Sequence, residues 1–321
     1  MKRAFAALAA ALAAMAVTPP AAAYPDKSIT VVVPFPPGGS SDAIARALSQ
    51  KMSATLGQPV VIENVAGATG AIGATRVKRA APDGYTVLVA SIGVYATNPF
   101  LQKNLQYDPA KDFDLLTVLV RAPNVLVLHP SVPANSVAEF VEYLKKNPDR
   151  VSFASSGAGS SDHLTAALFW QRTGTTGLHV PYKGGGPAIS DLLAGHALAS
   201  FQNLNAIAAH VKAGKLKALA ITGDRRSAAL PDVPTLAEAG VKDVEVYSWQ
   251  AAAAPKGLPK SVRDKLHAAF VAALNDADVA PKLTAQGFEL VGNTPEQFSQ
   301  FLTQELARWK QVIERGKITI D

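Results

Sequence analysis

The 321-residue chain contains no cysteine, and this absence removes several classes of site at once. A disulfide framework, a thiolate zinc site, an iron–sulfur cluster and a cysteine nucleophile all need thiols. Charge is modest too, with 31 Lys and Arg against 25 Asp and Glu and a net charge of +6. Because basic residues do not cluster with aromatic ones, nucleic acid is not an expected partner.

Motifs for common catalytic chemistry are also absent. The sequence has no Gly-x-Ser-x-Gly elbow, no Walker loop, no His-Glu-x-x-His and no acidic EF-hand loop. Its six histidines show no pair at metal-ligand spacing, so we predict no metal site and no cofactor. Ser160, Asp162 and His163 are neighbours in sequence, but a catalytic triad must converge in space. We therefore predict no catalytic residue, and a serine hydrolase remains only a weak alternative.

The first 23 residues have the pattern of a secretory signal peptide. Lys2 and Arg3 form a positive start, residues 4–17 are an apolar run, and three alanines at 21–23 give a small-residue cleavage pattern. A membrane span needs roughly 20 strongly apolar residues, which this run does not reach. We expect an exported protein that is cleaved before Tyr24.

The remaining chain alternates short apolar runs with amphipathic ones, which is typical of βαβ proteins. The patterns predict strands at 29–33, 60–62, 85–89, 125–128, 151–154, 178–180, 197–201 and 216–221. They predict helices over 42–57, 70–80, 136–146, 162–171 and 205–213, and helices that begin at 187, 259 and 295. Two βα series followed by a helical tail predict an α/β protein with two lobes.

Three glycine-rich loops lie between a predicted strand and a predicted helix. We call residues 34–42 the first loop, 155–161 the second loop and 182–187 the third loop. Glycine lets the backbone approach a ligand, and a helix start offers free N–H groups to an anion. A carboxylate can therefore bind there without Arg or Lys. For Asp42, a helix cap and a sensor of a ligand ammonium are both open roles.

Seven motifs occur in the order found in one protein family. They lie at 34–42, 56–61, 81–85, 107–113, 179–184, 230–235 and 248–249. Over essentially all of the mature sequence, the chain resembles the Bug-type periplasmic substrate-binding proteins of tripartite tricarboxylate transporters. The resemblance implies a two-lobed Venus-flytrap protein with a central sheet in each lobe and a hinge of two crossover strands. It also implies a periplasmic monomer that delivers an organic acid (a mono-, di- or tricarboxylate, or an aromatic acid) to membrane subunits.

The resemblance assigns ligand contacts to both lobes. The first lobe would grip one carboxylate, through backbone N–H groups and ordered waters, with Phe35, Gly38, Gly39, Ser40 and Asp42. The second lobe would contribute Ser155, Ser156, Gly157, Ser160, Tyr182, Lys183 and Gly184. The distal end of the ligand would contact Tyr95, Gln202 and Asn203.

Two residues depart from the family pattern. Where relatives usually carry Phe-Asp-Asn-Leu, this chain has Phe-Gln-Asn-Leu, so Gln202 replaces a carboxylate by an amide. This change predicts a ligand that lacks an α-amino group. Tyr95 stands where smaller residues are common, and it either offers the ligand an aromatic face and a hydroxyl or fills space.

The family pattern also divides the chain. It predicts that lobe one comprises residues 24–121 and 246–321, that lobe two comprises 122–245, and that closure buries the ligand between them. A ligand-loaded protein that docks on a signalling receptor remains an alternative role.

Overall fold

The computed structural model describes residues 24–319, so the expected signal peptide lies outside the described residues. The strands are β1 (Ile29–Val33), β2 (Val60–Asn64), β3 (Thr86–Ser91), β4 (Phe113–Leu128), β5 (Ser152–Ser155), β6 (Leu178–Pro181), β7 (Ala199–Asn203), β8 (Lys217–Ile221), β9 (Tyr247–Pro255) and β10 (Glu289–Leu290). The helices are α1 (Ser40–Leu56), α2 (Ala71–Lys78), α3 (Asn98–Leu101), α4 (Val137–Lys146), α5 (Ser161–Thr173), α6 (Gly185–Ala194), α7 (Leu204–Lys212), α8 (Lys260–Leu274), α9 (Ala280–Ala285) and α10 (Pro295–Gly316). A 3-10 turn (Ala68–Gly70) precedes α2 and a π turn (Gly93–Thr97) precedes α3.

The strands follow the order β2-β1-β3-β9-β4-β7-β5-β6, with β8 and β10 also paired to β4. On one side, β1 is parallel to β2 and β3, and β9 lies antiparallel between β3 and β4. On the other side, β5 is parallel to β6 and β7. The long strand β4 joins the two sides, because its first part pairs with β9 and its last five residues pair with β7.

The chain crosses between the two sides of the sheet at two adjacent points. On β4, the Asn124 N–H donates to Thr222 Oγ1 at 2.8 Å, and the Thr222 N–H donates to the Asn124 carbonyl at 2.8 Å. In the returning segment, the Val246 N–H donates to the Thr222 carbonyl at 3.1 Å. Thr222 therefore ties both crossings together, as expected for the hinge of a two-lobed protein. We propose that the lobes divide at the boundaries predicted above.

The C-terminal helix α10 links the two lobes. It starts with the predicted capping box, in which Thr294 and Gln297 satisfy each other's backbone N–H groups. Glu305 is buried and accepts hydrogen bonds from the indole N–H groups of Trp249 at 2.8 Å and Trp309 at 3.0 Å. Besides contacting β4, α10 packs against α5 of the second side. One continuous apolar cluster consequently contains residues of both lobes.

Candidate functional site

The first loop presents the start of α1. Gly38, at φ +88°, and Gly39 are exposed, and Ser40 is half-buried. Gly39 occupies the N-cap position and has no side chain to cap this helix start. The N–H groups of the first turn are thus left for an external acceptor, which is the arrangement that binds anions. Phe35 is partly buried and packs against the apolar clusters.

The side chain of Asp42 turns toward the first loop and supports it. Its carboxylate accepts hydrogen bonds from the Gly38 N–H at 2.9 Å, from Arg46 Nε at 3.0 Å and from Asn64 Nδ2 at 2.9 Å. Burial alone would raise the pKa of Asp42, but these hydrogen bonds and the Arg46 charge outweigh it and lower the pKa. The same Asn64 amide donates to the Phe35 carbonyl at 3.1 Å. Asp42 is thus a loop support that is already fully engaged with the protein.

The second loop presents the start of α5 in the same manner. Ser160 is the N-cap residue, but its hydroxyl donates to the Gly157 carbonyl and makes no capping hydrogen bond. Gly157 has φ +137° and is partly exposed, as is Ser156. Ser155 is buried, and its hydroxyl lies 2.6 Å from His179 Nε2. Of the four predicted residues, three therefore line the loop surface, whereas Ser155 lies beneath it.

The third loop lies against the second. The Tyr182 N–H donates to the Ser155 carbonyl at 2.9 Å, and the Gly184 N–H donates to the Ser156 carbonyl at 3.0 Å. The Tyr182 hydroxyl donates to Asp191 at 2.7 Å, and this hydrogen bond raises the pKa of the tyrosine to about 12. Lys183 is exposed. The structure therefore brings these two loops together and leaves Lys183 available to a solute.

Gln202 and Asn203 end β7 beneath the second loop. Gln202 is buried, and its Nε2 donates to Asp162 at 3.3 Å and to Ser200 Oγ at 2.9 Å. Asn203 Nδ2 donates to Ser161 Oγ at 3.3 Å and to the side chain of Asn124 at the crossing point. Both amides are therefore part of a polar network that connects the loop with the hinge.

Tyr95 does not lie at the loop surface. Its side chain is fully buried, its ring stacks on Trp249 with centroids 5.7 Å apart, and its hydroxyl donates to the Ala251 carbonyl at 3.2 Å. Of the two roles left open for this residue, the structure favours space filling.

A direct contact joins the second loop to the other side of the sheet. Thr97, which follows β3, donates from Oγ1 to the Gly159 carbonyl at 3.0 Å. A Cβ added to Gly159 would lie 2.4 Å from Leu101 Cδ1, so a larger residue would force Leu101 to move. Thr97 and Leu101 were not predicted as site residues, since no local pattern marks them.

The residues of the hydrolase alternative do not form a triad. Asp162 accepts from the backbone N–H of His163 at 3.1 Å, not from its ring. The His163 ring accepts from the Gly159 N–H at 3.0 Å and stacks on His179 with centroids 3.6 Å apart. Burial lowers the pKa of His163 to about 3 and that of His179 to about 4. These histidines consequently act as neutral supports of the second loop.

Residues 24–319 contain neither a group of metal-ligating side chains nor a membrane-spanning helix. In that range no three His, Asp or Glu residues are grouped so that they could hold a metal ion. None of the helices described there combines the length and apolar character needed to cross a bilayer.

Comparison with known proteins gives concordant matches. The tripartite tricarboxylate transporter family receptor (TctC) matches residues 44–318. The protein BugT of Bordetella pertussis is 38% identical over 291 residues, which cover 90% of this chain and 89% of that protein. A solved periplasmic transporter is 44% identical, with a TM-score of 0.86 over 93% of this chain and 100% of the other.

Two further solved structures contain carboxylates. A Rhodopseudomonas palustris protein with adipate is 35% identical, with a TM-score of 0.86 over 92% of this chain and 100% of that protein. MatC of Rhodopseudomonas palustris, with bound malate, is 35% identical, with a TM-score of 0.83 over 90% and 100%. The matches confirm the two-lobed fold and the family expected from the sequence motifs. This chain therefore belongs to the TctC/Bug family of periplasmic solute receptors that serve tripartite tricarboxylate transporters.

Proposed function

We propose that this receptor binds a small organic acid that lacks an α-amino group, with one carboxylate held between the first and second loops. The observation that carries the proposal is the pair of helix starts, those of α1 and α5, whose N-cap residues Gly39 and Ser160 make no side-chain capping hydrogen bond. Both follow the carboxyl end of a parallel strand, one in each lobe, where open α/β sheets bind ligands. Such a pair supplies backbone N–H donors to an anion from two sides.

The chemistry around these helix starts supports an anion without an ammonium group. The carboxylates of Asp42 and Asp162 are occupied by donors of the protein itself, and Gln202 brings no charge. Exposed Lys183 adds a positive charge beside the third loop. A ligand ammonium would therefore find no free carboxylate among these residues. Adipate and malate, the ligands of the two solved relatives, are both dicarboxylates without an amino group.

The proposal also covers export, oligomeric state and delivery of the ligand. The chain would be exported with cleavage before Tyr24, would act as a monomer without chemical conversion of its ligand, and would pass the acid to the membrane subunits of a transporter. Deletion of the gene should then abolish uptake of the acid. Loss of ligand-induced gene expression with uptake intact would instead indicate the sensor role.

Thermal denaturation of the refolded mature protein tests the ligand class. Malate, adipate and aromatic acids are compared with aspartate, glutamate, sugars and the amides of the same acids. A ligand at 100 times its dissociation constant adds about 2.7 kcal/mol to the free energy of unfolding. We expect stabilisation by an amino-free carboxylate that is lost on amidation. Stabilisation by aspartate or glutamate above their deaminated analogues would refute the ligand class, and stabilisation by sugars alone would refute carboxylate binding.

A further inference from the structure

The two helix starts carry the same four residues. Gly-Ser-Ser-Asp occurs at 39–42 and again at 159–162. In each copy the aspartate turns back and accepts a backbone N–H from its own loop, Asp42 from Gly38 at 2.9 Å and Asp162 from Ser156 at 2.7 Å. Because carboxylates accept strongly from backbone N–H groups, each aspartate fixes the course of the loop before its helix. The two lobes thus support their loops by the same device.

The surroundings of the two aspartates differ. Asp42 is paired with Arg46, so a positive charge balances it. Asp162 is buried, and its described donors are all uncharged: the N–H and hydroxyl of Ser156, the backbone N–H of His163 and Nε2 of Gln202. Four donors satisfy the lone pairs of the two oxygens, and each donor depends on an oxygen that accepts.

An acidic side chain in place of Gln202 would disturb the hydrogen bonds of Asp162. The Nε2 of Gln202 lies 3.3 Å from Asp162 Oδ2, so a carboxylate at position 202 would bring two negative charges together in a buried place. Such a pair cannot stay fully ionised, and one member takes up a proton. The amide supplies a donor instead, and it places its own oxygen toward Gly185, where an added Cβ would lie 3.6 Å away.

We propose that Asp162 is the positioning residue of the second loop and that Gln202 is its matched donor, which governs ligand binding through Asp162 rather than through direct contact. The proposal rests on the proposed function in one respect, namely that the second loop touches the ligand. The loop support itself is a property of the ligand-free protein, so the two can be tested apart.

Three variants test the pair: Asp162→Asn, Gln202→Glu and the double exchange Asp162→Asn with Gln202→Glu. The first places an amide N–H against donors, and the second places two acidic groups together. In the double exchange, the new amide at position 162 donates to the new carboxylate at position 202 and the charge repulsion is removed. The Ser156 N–H and hydroxyl still lose their acceptor, because they bind the same oxygen of Asp162 as Gln202 does. We expect affinity for malate or adipate, measured by calorimetry, to fall at least tenfold in each single variant. The double exchange should bind more tightly than Gln202→Glu but more weakly than the natural protein, and equal affinity in Gln202→Glu and the natural protein would overturn the matched-donor role. Glu142→Gln, at an exposed acid on α4, is the matched control.

The pH profile separates this mechanism from a general loss of structure. Burial raises the pKa of Asp162, so affinity of the natural protein should decline as pH falls from 8 to 5. In Gln202→Glu, the paired acids share a proton at low pH and repel each other when both ionise, so affinity should decline as pH rises. His163 and His179 beside the loop remain neutral over this range because burial lowers their pKa values. Profiles of the same sign in both proteins would overturn the proposal.

Hydrogen exchange in the ligand-free protein tests the loop support without any ligand. The amide of Ser156 should exchange at least tenfold faster in Asp162→Asn and in the double exchange, because neither keeps the oxygen that accepts from it, and at the natural rate in Glu142→Gln. Unchanged exchange in Asp162→Asn would overturn the positioning role. If exchange responds as expected while no carboxylate binds the natural protein, the proposed function fails and the positioning role stands.

Discussion

Replacing Gly159 by alanine should weaken ligand binding more than it weakens the fold. The glycine has φ +79°, and a Cβ at this position would lie 2.4 Å from Leu101 Cδ1. Gly159 belongs to the second loop, whereas Leu101 follows β3 in the other half of the molecule. The steric conflict therefore arises only while the second loop lies against that half.

The expected magnitude has two parts. A left-handed backbone costs a non-glycine residue about 1–2 kcal/mol, and this cost is present whether the lobes are together or apart. Overpacking a tight contact costs about 1–3 kcal/mol more, and separation of the lobes relieves it. The overpacking cost therefore destabilises the closed form alone. It corresponds to a loss of about 5- to 150-fold in ligand affinity.

Gly174→Ala provides the matched control. Gly174 also has a left-handed backbone, with φ +63°, but a Cβ there would meet no atom within 4 Å. Denaturant titration should show a similar small loss of stability in both variants. Calorimetry with the carboxylate that binds the natural protein should show weaker binding only for Gly159→Ala. Small-angle scattering should show a larger radius of gyration for Gly159→Ala than for Gly174→Ala. Equal ligand affinity in the two variants would refute the reasoning.

Two further predictions concern stability. The native state keeps His163 and His179 neutral, whereas the unfolded chain protonates them near pH 6.5, so acidification from pH 7 to 5 should remove about 2 kcal/mol of unfolding free energy per histidine. Urea titration at both pH values measures this loss, and a slope unchanged in His163→Gln would contradict it. Glu305→Leu leaves the indole N–H groups of Trp249 and Trp309 without their acceptor, so it should cost about 2–4 kcal/mol. An unchanged urea midpoint would show that other acceptors replace the carboxylate.

Local sequence patterns predicted most elements but not the strand that holds the sheet together. The run at 29–33 coincides with β1, and the capped helix predicted at 136–146 is α4. The pattern at 125–128 marked only the end of β4, which starts at Phe113. β9 was missed because residues 251–254 are four alanines, which have weak strand propensity and no alternation. Burial between β3 and β4 selects that strand, and no local pattern carries this information.

For the candidate site as well, local sequence patterns predicted some parts and missed others. Glycines and helix-start patterns identified the loops, because backbone geometry depends on the local sequence. The side chains that hold the loops come from distant elements: Asn64 from β2, Thr97 from the turn before α3 and His179 from β6. Asp162 is the exception, since the repeated Gly-Ser-Ser-Asp marks it in the sequence alone. Family resemblance supplied residue roles that local patterns did not.

The position of β9 has a consequence for how the protein is made. It lies between β3 and β4, so the sheet of the first lobe has a gap at its centre until residues 247–255 are available. More than a hundred residues separate β4 from β9 along the chain, and β5 to β8 are encoded between them. A nascent chain in which only β1 to β4 have been synthesised contains strands that are buried in the finished protein. It still lacks β9, the strand that lies between β3 and β4. The sheet of the first lobe can therefore be completed only after residues 247–255 have been synthesised.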